Sequence, residues 1–168
     1  MGSGKSTVGR CLAEKLGFTF VDLDAEIIRR EARPIADIFR EQGEPHFRQL
    51  EHETLGRILA AMSGPTVIAL GGGTFIQSRN RDLLSRHGAR TVYLDGPLPV
   101  LLERCAAEQD ARPLARDSES FRALHAERQP IYRLAEVTVE IGDRTPEAIA
   151  DALATALAKQ NAQPAVPE

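Results

Sequence analysis

The stretch GSGKST, residues 2–7, decides the fold predicted for this chain. It matches the second half of the pattern G-x-x-x-x-G-K-S/T, in which the backbone N–H groups of a glycine-rich loop surround phosphate oxygens. In this pattern Lys5 places a positive charge on the phosphates, Ser6 offers a hydroxyl group to Mg²⁺, and the following helix adds its positive dipole end. A glycine- and serine-rich tag remnant is the alternative, but the motif runs straight into an amphipathic helix at residues 4–16.

The motif stands at the very start of the chain. The first glycine of the full pattern would lie before Met1, and so would the strand that should feed the loop. We therefore expect Met1 to be an internal residue of a longer protein, whose missing part would be roughly ten residues by typical strand length. A chain that truly began at Met1 is expected to be poorly stable and weakly active, because its sheet would lack a central strand.

Composition and charge are those of an ordinary globular domain. The 168 residues are 42% hydrophobic and 27% charged, which fits one domain. A net charge of -3 argues against a general nucleic-acid binder. No apolar run approaches the ~18 residues that span a membrane, so we expect no membrane partner and a cytoplasmic location. Two cysteines form no disulfide framework, and the four histidines lack metal-ligand spacing.

Short apolar runs alternate with helical patterns along the chain. The runs predicted as buried strands are residues 18–22, 66–70, 91–94 and 136–141. The helices that bear on the candidate site are predicted at residues 24–30, 34–43, 44–62, 119–126 and 128–134. The alternation predicts an α/β fold, a three-layer sandwich with a parallel sheet. We expect one domain over residues 1–159 and a flexible tail over residues 160–168.

An acidic pair, Asp22 and Asp24, follows the first predicted strand. Strand alternation would put both side chains on the same side, at the carboxyl end of the strand, where ligands bind in α/β sheets. Two carboxylates there suit water ligation of Mg²⁺ and the orientation of an attacking hydroxyl group. Asp24 could equally be only the N-cap of the helix that follows. The residues alone leave both interpretations open.

Further motifs follow in order along the chain. They are PIADIF at residues 34–39, Gly43-Glu44, Phe47-Arg48 with Glu51, GGG at residues 71–73, RPL at residues 112–114, and R-x-P-x-Y at residues 128–132. A GKST motif alone marks many nucleotide-binding families, but this combination is specific. From residue 1 to about residue 158, the sequence resembles the shikimate kinase family.

The resemblance implies a fold and an activity. The fold would be that of P-loop NTPases, like the nucleoside monophosphate kinases. The activity would be ATP-dependent phosphorylation of the 3-hydroxyl of shikimate, giving shikimate 3-phosphate and ADP on the route to chorismate and the aromatic amino acids. Mg²⁺ would be the cofactor, ATP the co-substrate, and the protein a monomer with shikimate and ATP as its only partners.

The resemblance also implies roles for individual residues. The catalytic residues would be Lys5, Asp24 and Arg112. The ATP-binding residues would be Gly2, Ser3, Gly4, Lys5, Ser6, Thr7, Arg112 and Arg144, with Arg104 a weaker candidate beside adenine. The substrate-binding residues would be Asp24, Arg48, Gly72 and Arg128, and the metal contacts would be Ser6 and Asp22. A mobile lid is implied at about residues 108–118, and the shikimate-binding helices at about residues 24–62.

The residue types suit this chemistry, although each also has a simpler interpretation. Arginine offers a planar pair of donors to a carboxylate, and phosphoryl transfer mainly needs positioning and positive charge. However, Arg48 could form only a solvated helical ion pair with Glu51. The glycines at residues 71–73 could form a flexible turn, Arg128 could lie on a helix surface, and Arg144 could be a turn residue.

Two other functions compete with shikimate phosphorylation. A related P-loop kinase could act on gluconate or on a nucleotide, since gluconate is also an anionic polyol. A ligand-binding sensor on a kinase scaffold is the alternative from a different class. The intact Lys5, Asp24 and Arg112 favour an active kinase over a sensor.

Overall fold

The computed structural model describes residues 2–107 and 118–161. Within these ranges the chain forms seven helices and four strands. In chain order they are α1 (Lys5–Leu16), β1 (Thr19–Asp22), α2 (Leu23–Glu31), α3 (Ile35–Ala61), β2 (Thr66–Ala69), α4 (Ser78–Arg86), β3 (Val92–Asp95), α5 (Leu98–Ala107), α6 (Ser118–Tyr132), β4 (Val137–Glu140) and α7 (Pro146–Asn161). Helix α7 continues to Asn161, two residues into the predicted tail, and residues 162–168 lie outside the described ranges.

The strands pair in parallel, as the alternating pattern predicts. Strand β1 pairs with β2, with Asp22 opposite Ala69 at their carboxyl ends. Strand β3 pairs with β4, with Asp95 opposite Glu140. Among the described residues, no hydrogen-bonded strand joins these two pairs. Because parallel strands end at a common edge, the segment after β1 and the segment after β2 leave side by side, and this edge carries the candidate site.

Two hydrophobic cores surround the strands. One core joins α1, α5, α6 and α7 with β3 and β4, through Val8, Leu12, Leu101, Phe121, Val137, Val139, Ile141, Ile149, Ala150 and Leu153. The other joins α2, α3 and α4, through Leu23, Ile27, Ile38, Phe47, Leu50, Leu55, Leu59 and Leu84. The second core packs α2 and α3 against each other, which holds in place the helices that carry Asp24 and Arg48.

The described helices include none long and apolar enough to cross a bilayer.

Helix α3 bends at Gly43, where two helices were predicted. Gly43 has a non-helical backbone, with φ 78° and ψ 173°, a conformation that strains any residue with a β-carbon. Pro45 follows inside the helix. The break was therefore predicted at the right residue, and the chain turns there to begin the segment that carries Arg48.

Helix α6 is continuous, so the prediction of two helices at residues 119–126 and 128–134 was wrong. Pro130 lies in the last turn of Ser118–Tyr132 and does not divide the helix. The missing N–H of a proline affects only the preceding turn, so at that position it leaves most of the helix intact. The continuity matters because Phe121, Arg128 and Tyr132 then share one side of one rigid element.

Candidate active site

The phosphate loop lies against α5. Gly2 and Gly4 both adopt left-handed backbone conformations, with φ 66° and φ 74°. Gly2 is buried, and a β-carbon there would lie only 2.5 Å from the carbonyl oxygen of Leu101. Gly4 is the N-cap of α1, and its carbonyl accepts a hydrogen bond from Val8 N. The curled backbone and the helix start thus meet at residues 2–7, which is the arrangement that binds phosphate.

Ser6 and Asp22 join the phosphate loop to the end of β1. Ser6 Oγ donates a hydrogen bond to Asp22 Oδ2 at 2.5 Å. The other carboxylate oxygen, Asp22 Oδ1, accepts from the backbone N–H groups of Asp24 and Ala25 at 3.0 and 3.2 Å. Asp22 is therefore the N-cap of α2. The interpretation of Asp24 as the cap was wrong, because the helix begins one residue earlier than the sequence pattern indicated.

Asp24 reaches the site from the first turn of α2 rather than from a strand. Strand alternation therefore does not place Asp24 beside Asp22, because β1 ends at Asp22 and Asp24 is helical. The Asp24 carboxylate nevertheless lies at the same edge, since a β-carbon on Gly71 would come within 2.8 Å of Asp24 Oδ1. The same imaginary atom would lie 2.9 Å from Glu51 Oε1. A side chain at position 71 would therefore push the Asp24 and Glu51 carboxylates away from the loop after β2.

Ser6 and Asp22 have the donor chemistry that Mg²⁺ requires. Both offer hard oxygen atoms, and Mg²⁺ in kinases typically uses one or two protein oxygens together with water and substrate phosphates. The described residues include no cluster of three or more His, Cys, Asp or Glu side chains that could hold a metal ion. The oxygen atoms of Ser6 and Asp22 therefore fit a magnesium ion.

Glu51 is a site residue that the sequence analysis named only as part of a motif and as a possible solvated partner of Arg48. Its side chain is 1% exposed, and its two oxygens receive three hydrogen bonds. Arg48 Nη1 and Gln77 Nε2 donate to Oε2 at 2.7 and 3.1 Å, and Thr74 Oγ1 donates to Oε1 at 2.6 Å. The signal was the helical pattern, because Phe47, Leu50 and Leu55 on α3 are apolar and mark the buried side on which Glu51 also falls.

Burial raises the pKa of the Glu51 carboxyl above its ordinary value, and the nearby Asp24 charge adds to this rise. The Arg48 charge and the hydrogen bonds from Thr74 and Arg48 act in the opposite direction. The pKa of Arg48 is also raised. Burial alone would lower it, but the charges of Glu51 and Glu44 and their hydrogen bonds to the guanidinium outweigh burial. We attribute the raised pKa of Glu51 mainly to the removal of its carboxylate from water.

Arg48 forms a buried ion pair rather than the solvated pair that was the simpler interpretation. Its side chain is 15% exposed, and it contacts Glu51 on one edge and Glu44 on the other. Arg48 Nε and Nη2 donate to the same oxygen, Glu44 Oε1, at 3.0 and 2.6 Å. A β-carbon on Gly73 would fall 2.1 Å from Arg48 Nη1, so the guanidinium lies directly against the glycine loop.

Arg128 and Tyr132 approach the same loop from α6. Arg128 is 8% exposed, so it is not the helix-surface arginine of the simpler interpretation. One turn later, Tyr132 donates a hydrogen bond to the carbonyl oxygen of Gly72 at 2.6 Å. Burial raises the pKa of Tyr132, and the charges of Arg128 and Arg48 lower it, which places both arginines near the phenol. The structure thus brings Arg48, Gly72 and Arg128 together.

The other arginines predicted to bind ATP are Arg144, Arg104 and Arg112. Arg144, in the loop after β4, is exposed and donates to the carbonyl oxygens of Glu140 and Ala148 at 3.4 and 3.0 Å. It borders a surface groove of about 580 Å³ along α7, none of whose lining residues belongs to the cluster around Arg48. Arg104 Nη1 lies 4.0 Å from the position of a Gly4 β-carbon. Arg112 and residues 108–117 of the predicted lid lie outside the described ranges.

Sequence comparison finds one family over nearly the whole chain. The family model of shikimate kinase matches residues 1–158. A shikimate kinase of Thermobifida fusca (strain YX) is 44% identical over 159 residues, which are 93% of this chain and 90% of that protein. A shikimate kinase of Persephonella marina is 40% identical over 146 residues, which are 87% of each protein.

Structural comparison agrees. The shikimate kinase from Acinetobacter baumannii in complex with shikimate superposes with a TM-score of 0.90 at 34% identity, over 97% of this chain and 91% of that chain. A gluconokinase from Sinorhizobium meliloti has a TM-score of 0.54 at 23% identity, which shows a common fold alone. The predicted α/β fold is confirmed by these superpositions. The chain belongs to the shikimate kinase family.

Proposed function

We propose that this protein transfers the terminal phosphoryl group of ATP to the 3-hydroxyl of shikimate. The observation that carries the proposal is the cluster at the end of β1 and β2, where Asp24, Arg48, Gly72 and Arg128 converge from four separate elements. The family match over residues 1–158 supports the same activity. ATP is the co-substrate that a kinase of this family uses.

The cluster suits an acceptor that carries one carboxylate and several hydroxyl groups. Arg48 and Arg128 supply two guanidinium groups that are mostly removed from water, and such groups bind a carboxylate strongly because little water competes. The Asp24 carboxylate lies at the Gly71 side of the same cluster. It accepts a hydrogen bond from the acceptor hydroxyl and so orients the oxygen that attacks the phosphoryl group.

The phosphate side of the reaction belongs to residues 2–7. The loop N–H groups and Lys5 hold the ATP phosphates, and Ser3, Ser6 and Thr7 line the same turn. Ser6 and Asp22 would hold Mg²⁺, which would neutralise charge on the transferred group. Positioning and charge neutralisation are the main demands of phosphoryl transfer, and both come from rigid elements here. Arg112 is proposed as a further cation, and Arg144 as an adenine-side contact.

Several expectations stay predictions. These are the monomeric state, the cytoplasmic location, and the absence of nucleic-acid and membrane partners. The expectation of a strand before Gly2 also stays a prediction. A gluconate or nucleotide acceptor has weaker support than shikimate, because the gluconokinase likeness concerns the fold alone. A sensor without turnover predicts binding of shikimate and ATP with no ADP release.

An acceptor screen with a coupled ADP assay tests the proposal. Shikimate, gluconate and nucleoside monophosphates are compared at equal concentration, and we expect ADP release with shikimate alone. Lys5→Met and Asp24→Asn are expected to abolish turnover. Arg48→Ala is expected to raise the shikimate KM by about tenfold to hundredfold, because a charged hydrogen-bond partner is lost, while the KM for ATP is unchanged.

The matched control is Arg57→Ala, an exposed arginine on the same helix α3. It removes an identical side chain away from the cluster and is expected to leave both KM values unchanged. An unchanged shikimate KM in Arg48→Ala would refute the carboxylate role. Equal turnover with gluconate would refute the choice of acceptor.

A further inference from the structure

Tyr132 links α6 to the glycine loop through its hydroxyl, a group to which the proposed chemistry gives no role. Its hydroxyl donates to the carbonyl oxygen of Gly72 at 2.6 Å, across 60 residues of sequence. Tyr132 is half-buried at the last position of α6, one turn beyond Arg128. The hydrogen bond therefore ties the helix that carries one arginine of the cluster to the loop against which the other arginine lies.

The ring of Tyr132 is held from its other side. It stacks on the ring of Tyr93, with 5.4 Å between centroids and 30° between planes. Tyr93 lies on β3, and its own hydroxyl donates to Asp95 Oδ1 at 3.1 Å. A stacked aromatic ring has few rotamers to lose, so the position of the Tyr132 hydroxyl is set by a strand as well as by a helix.

Holding the Gly72 carbonyl fixes a whole peptide plane. In a trans peptide the carbonyl of Gly72 and the N–H of Gly73 point in opposite directions, so the bond from Tyr132 also sets where Gly73 N–H points. The α-carbon of Gly73 lies against the Arg48 guanidinium. Without side chains, residues 71–73 could otherwise adopt many backbone conformations. The loop that borders Arg48 is therefore fixed from outside by Tyr132.

We propose that the Tyr132 hydroxyl is a positioning group: it orients the Gly72–Gly73 peptide between Arg48 and Arg128 and so sets the affinity for the acceptor carboxylate. This inference rests on the proposed function for the identity of the acceptor. The orientation of the Gly72–Gly73 peptide is independent of the proposed function, because it can be measured without any substrate.

The phenol is suited to this role as a neutral donor. A tyrosine hydroxyl, with an ordinary pKa of 10.0, keeps its proton at neutral pH and can donate to Gly72, and burial raises this pKa further. The positive charges of Arg128 and Arg48 act against this rise but do not reverse it. A phenylalanine at position 132 would keep the stacking on Tyr93 and lose the hydrogen bonds of the hydroxyl to Gly72 and with Arg128.

The test compares Tyr132→Phe with Tyr93→Phe. Each variant removes one hydroxyl from the same stacked pair, but only the first removes the bond to Gly72. For Tyr132→Phe we expect the shikimate KM to rise about twofold to tenfold, a range set by the bond to Gly72 together with the contact to Arg128, so the backbone readout is needed to isolate the first. The KM for ATP and the melting temperature are expected to stay unchanged. Tyr93→Phe is expected to leave the shikimate KM as in the wild type.

The second readout is the backbone amide resonance of Gly73 in the substrate-free protein. We expect Tyr132→Phe to shift it and Tyr93→Phe to leave it nearly unmoved. An unmoved Gly73 resonance in Tyr132→Phe overturns the proposal, and so does an equal rise of the shikimate KM in both variants. If the wild type does not phosphorylate shikimate, the proposed function fails, and the Gly73 resonance alone then decides the positioning role.

Discussion

Arg48 Nη1 lies 2.7 Å from Glu51 Oε2, in a pair whose acidic partner is 1% exposed. Around this contact lie Asp24, the glycines at residues 71–73 and Thr74. Removing one partner of a buried pair leaves the other charge without compensation, which is far more damaging than removing an exposed pair. The contact between Arg48 and Glu51 therefore connects the stability of the fold to the geometry of the candidate site.

Glu51→Ala is expected to lower the free energy of unfolding by about 3 kcal/mol, because Arg48, Thr74 and Gln77 lose their common acceptor. Urea unfolding measures the change. Glu26→Ala is the matched control, since Glu26 pairs with Arg29 at the same helical separation but on an exposed surface. We expect a loss of about 0.5 kcal/mol at most in that control, because Glu26 pairs with Arg29 near the surface and lies in the first turn of α2. A loss in Glu51→Ala as small as in the control would contradict the account of a buried pair.

The stability contributed by Glu51 is expected to depend on pH. Burial raises the pKa of Glu51 above its ordinary value of 4.5. Since the folded pKa exceeds the unfolded one, this contribution is fully present below the unfolded pKa and is lost as pH rises through the folded pKa. Glu51→Gln does not titrate, so wild-type stability relative to Glu51→Gln should fall as pH rises above about 4.5 and then level off. Urea unfolding at several pH values checks the sign; a rise would contradict it.

Asp22→Asn is expected to separate the two roles of Asp22. Asparagine is as good an N-cap as aspartate, so the melting temperature should change little, while turnover should fall because the negative charge beside Ser6 is gone. Asp22→Ala removes the cap as well and is expected to lower stability by about 1 kcal/mol. Calorimetry and the ADP assay are the measurements. Full turnover in Asp22→Asn would rule out a role for the charge.

Gly73→Ala is expected to weaken acceptor binding without unfolding the protein. The new β-carbon would lie 2.1 Å from Arg48 Nη1, so the flexible end of the arginine must move away from the loop. We expect a higher shikimate KM, an unchanged ATP KM and a small change in melting temperature. Gly64→Ala is the control, because a β-carbon there meets nothing within 4 Å. Equal KM values in the two variants would contradict the predicted displacement of Arg48.

Glu44→Gln is expected to strengthen acceptor binding. Glu44 occupies the Nε and Nη2 edge of Arg48 and is 43% exposed, so it competes with an incoming carboxylate for the same donors. Weakening this partly solvated pair should lower the shikimate KM by up to about fivefold. Glu53→Gln is the control, since Glu53 on the same helix bonds only to exposed Gln49 among the described contacts. A higher KM in Glu44→Gln would show that Glu44 orients Arg48 instead.

Local patterns predicted most of the elements that carry the candidate site. The four strands agree with the predicted runs to within two residues at each end. The break at Gly43 was visible because a glycine interrupted two helical patterns. The end of β1 was less clear, because the spacing of Asp22 and Asp24 fits a strand and a helix start equally well. Only hydrogen bonding showed that Asp22 caps α2.

The sequence by itself determined the phosphate loop, the parallel strands and the family, because glycine positions, apolar periodicity and motif order are properties of a linear chain. Tertiary structure alone decided which groups surround the buried Glu51 and that Tyr132 holds Gly72. Helical spacing shows which side of a helix is apolar, but the element that packs on that side comes from residues far away in the chain. Spacing alone cannot carry this information.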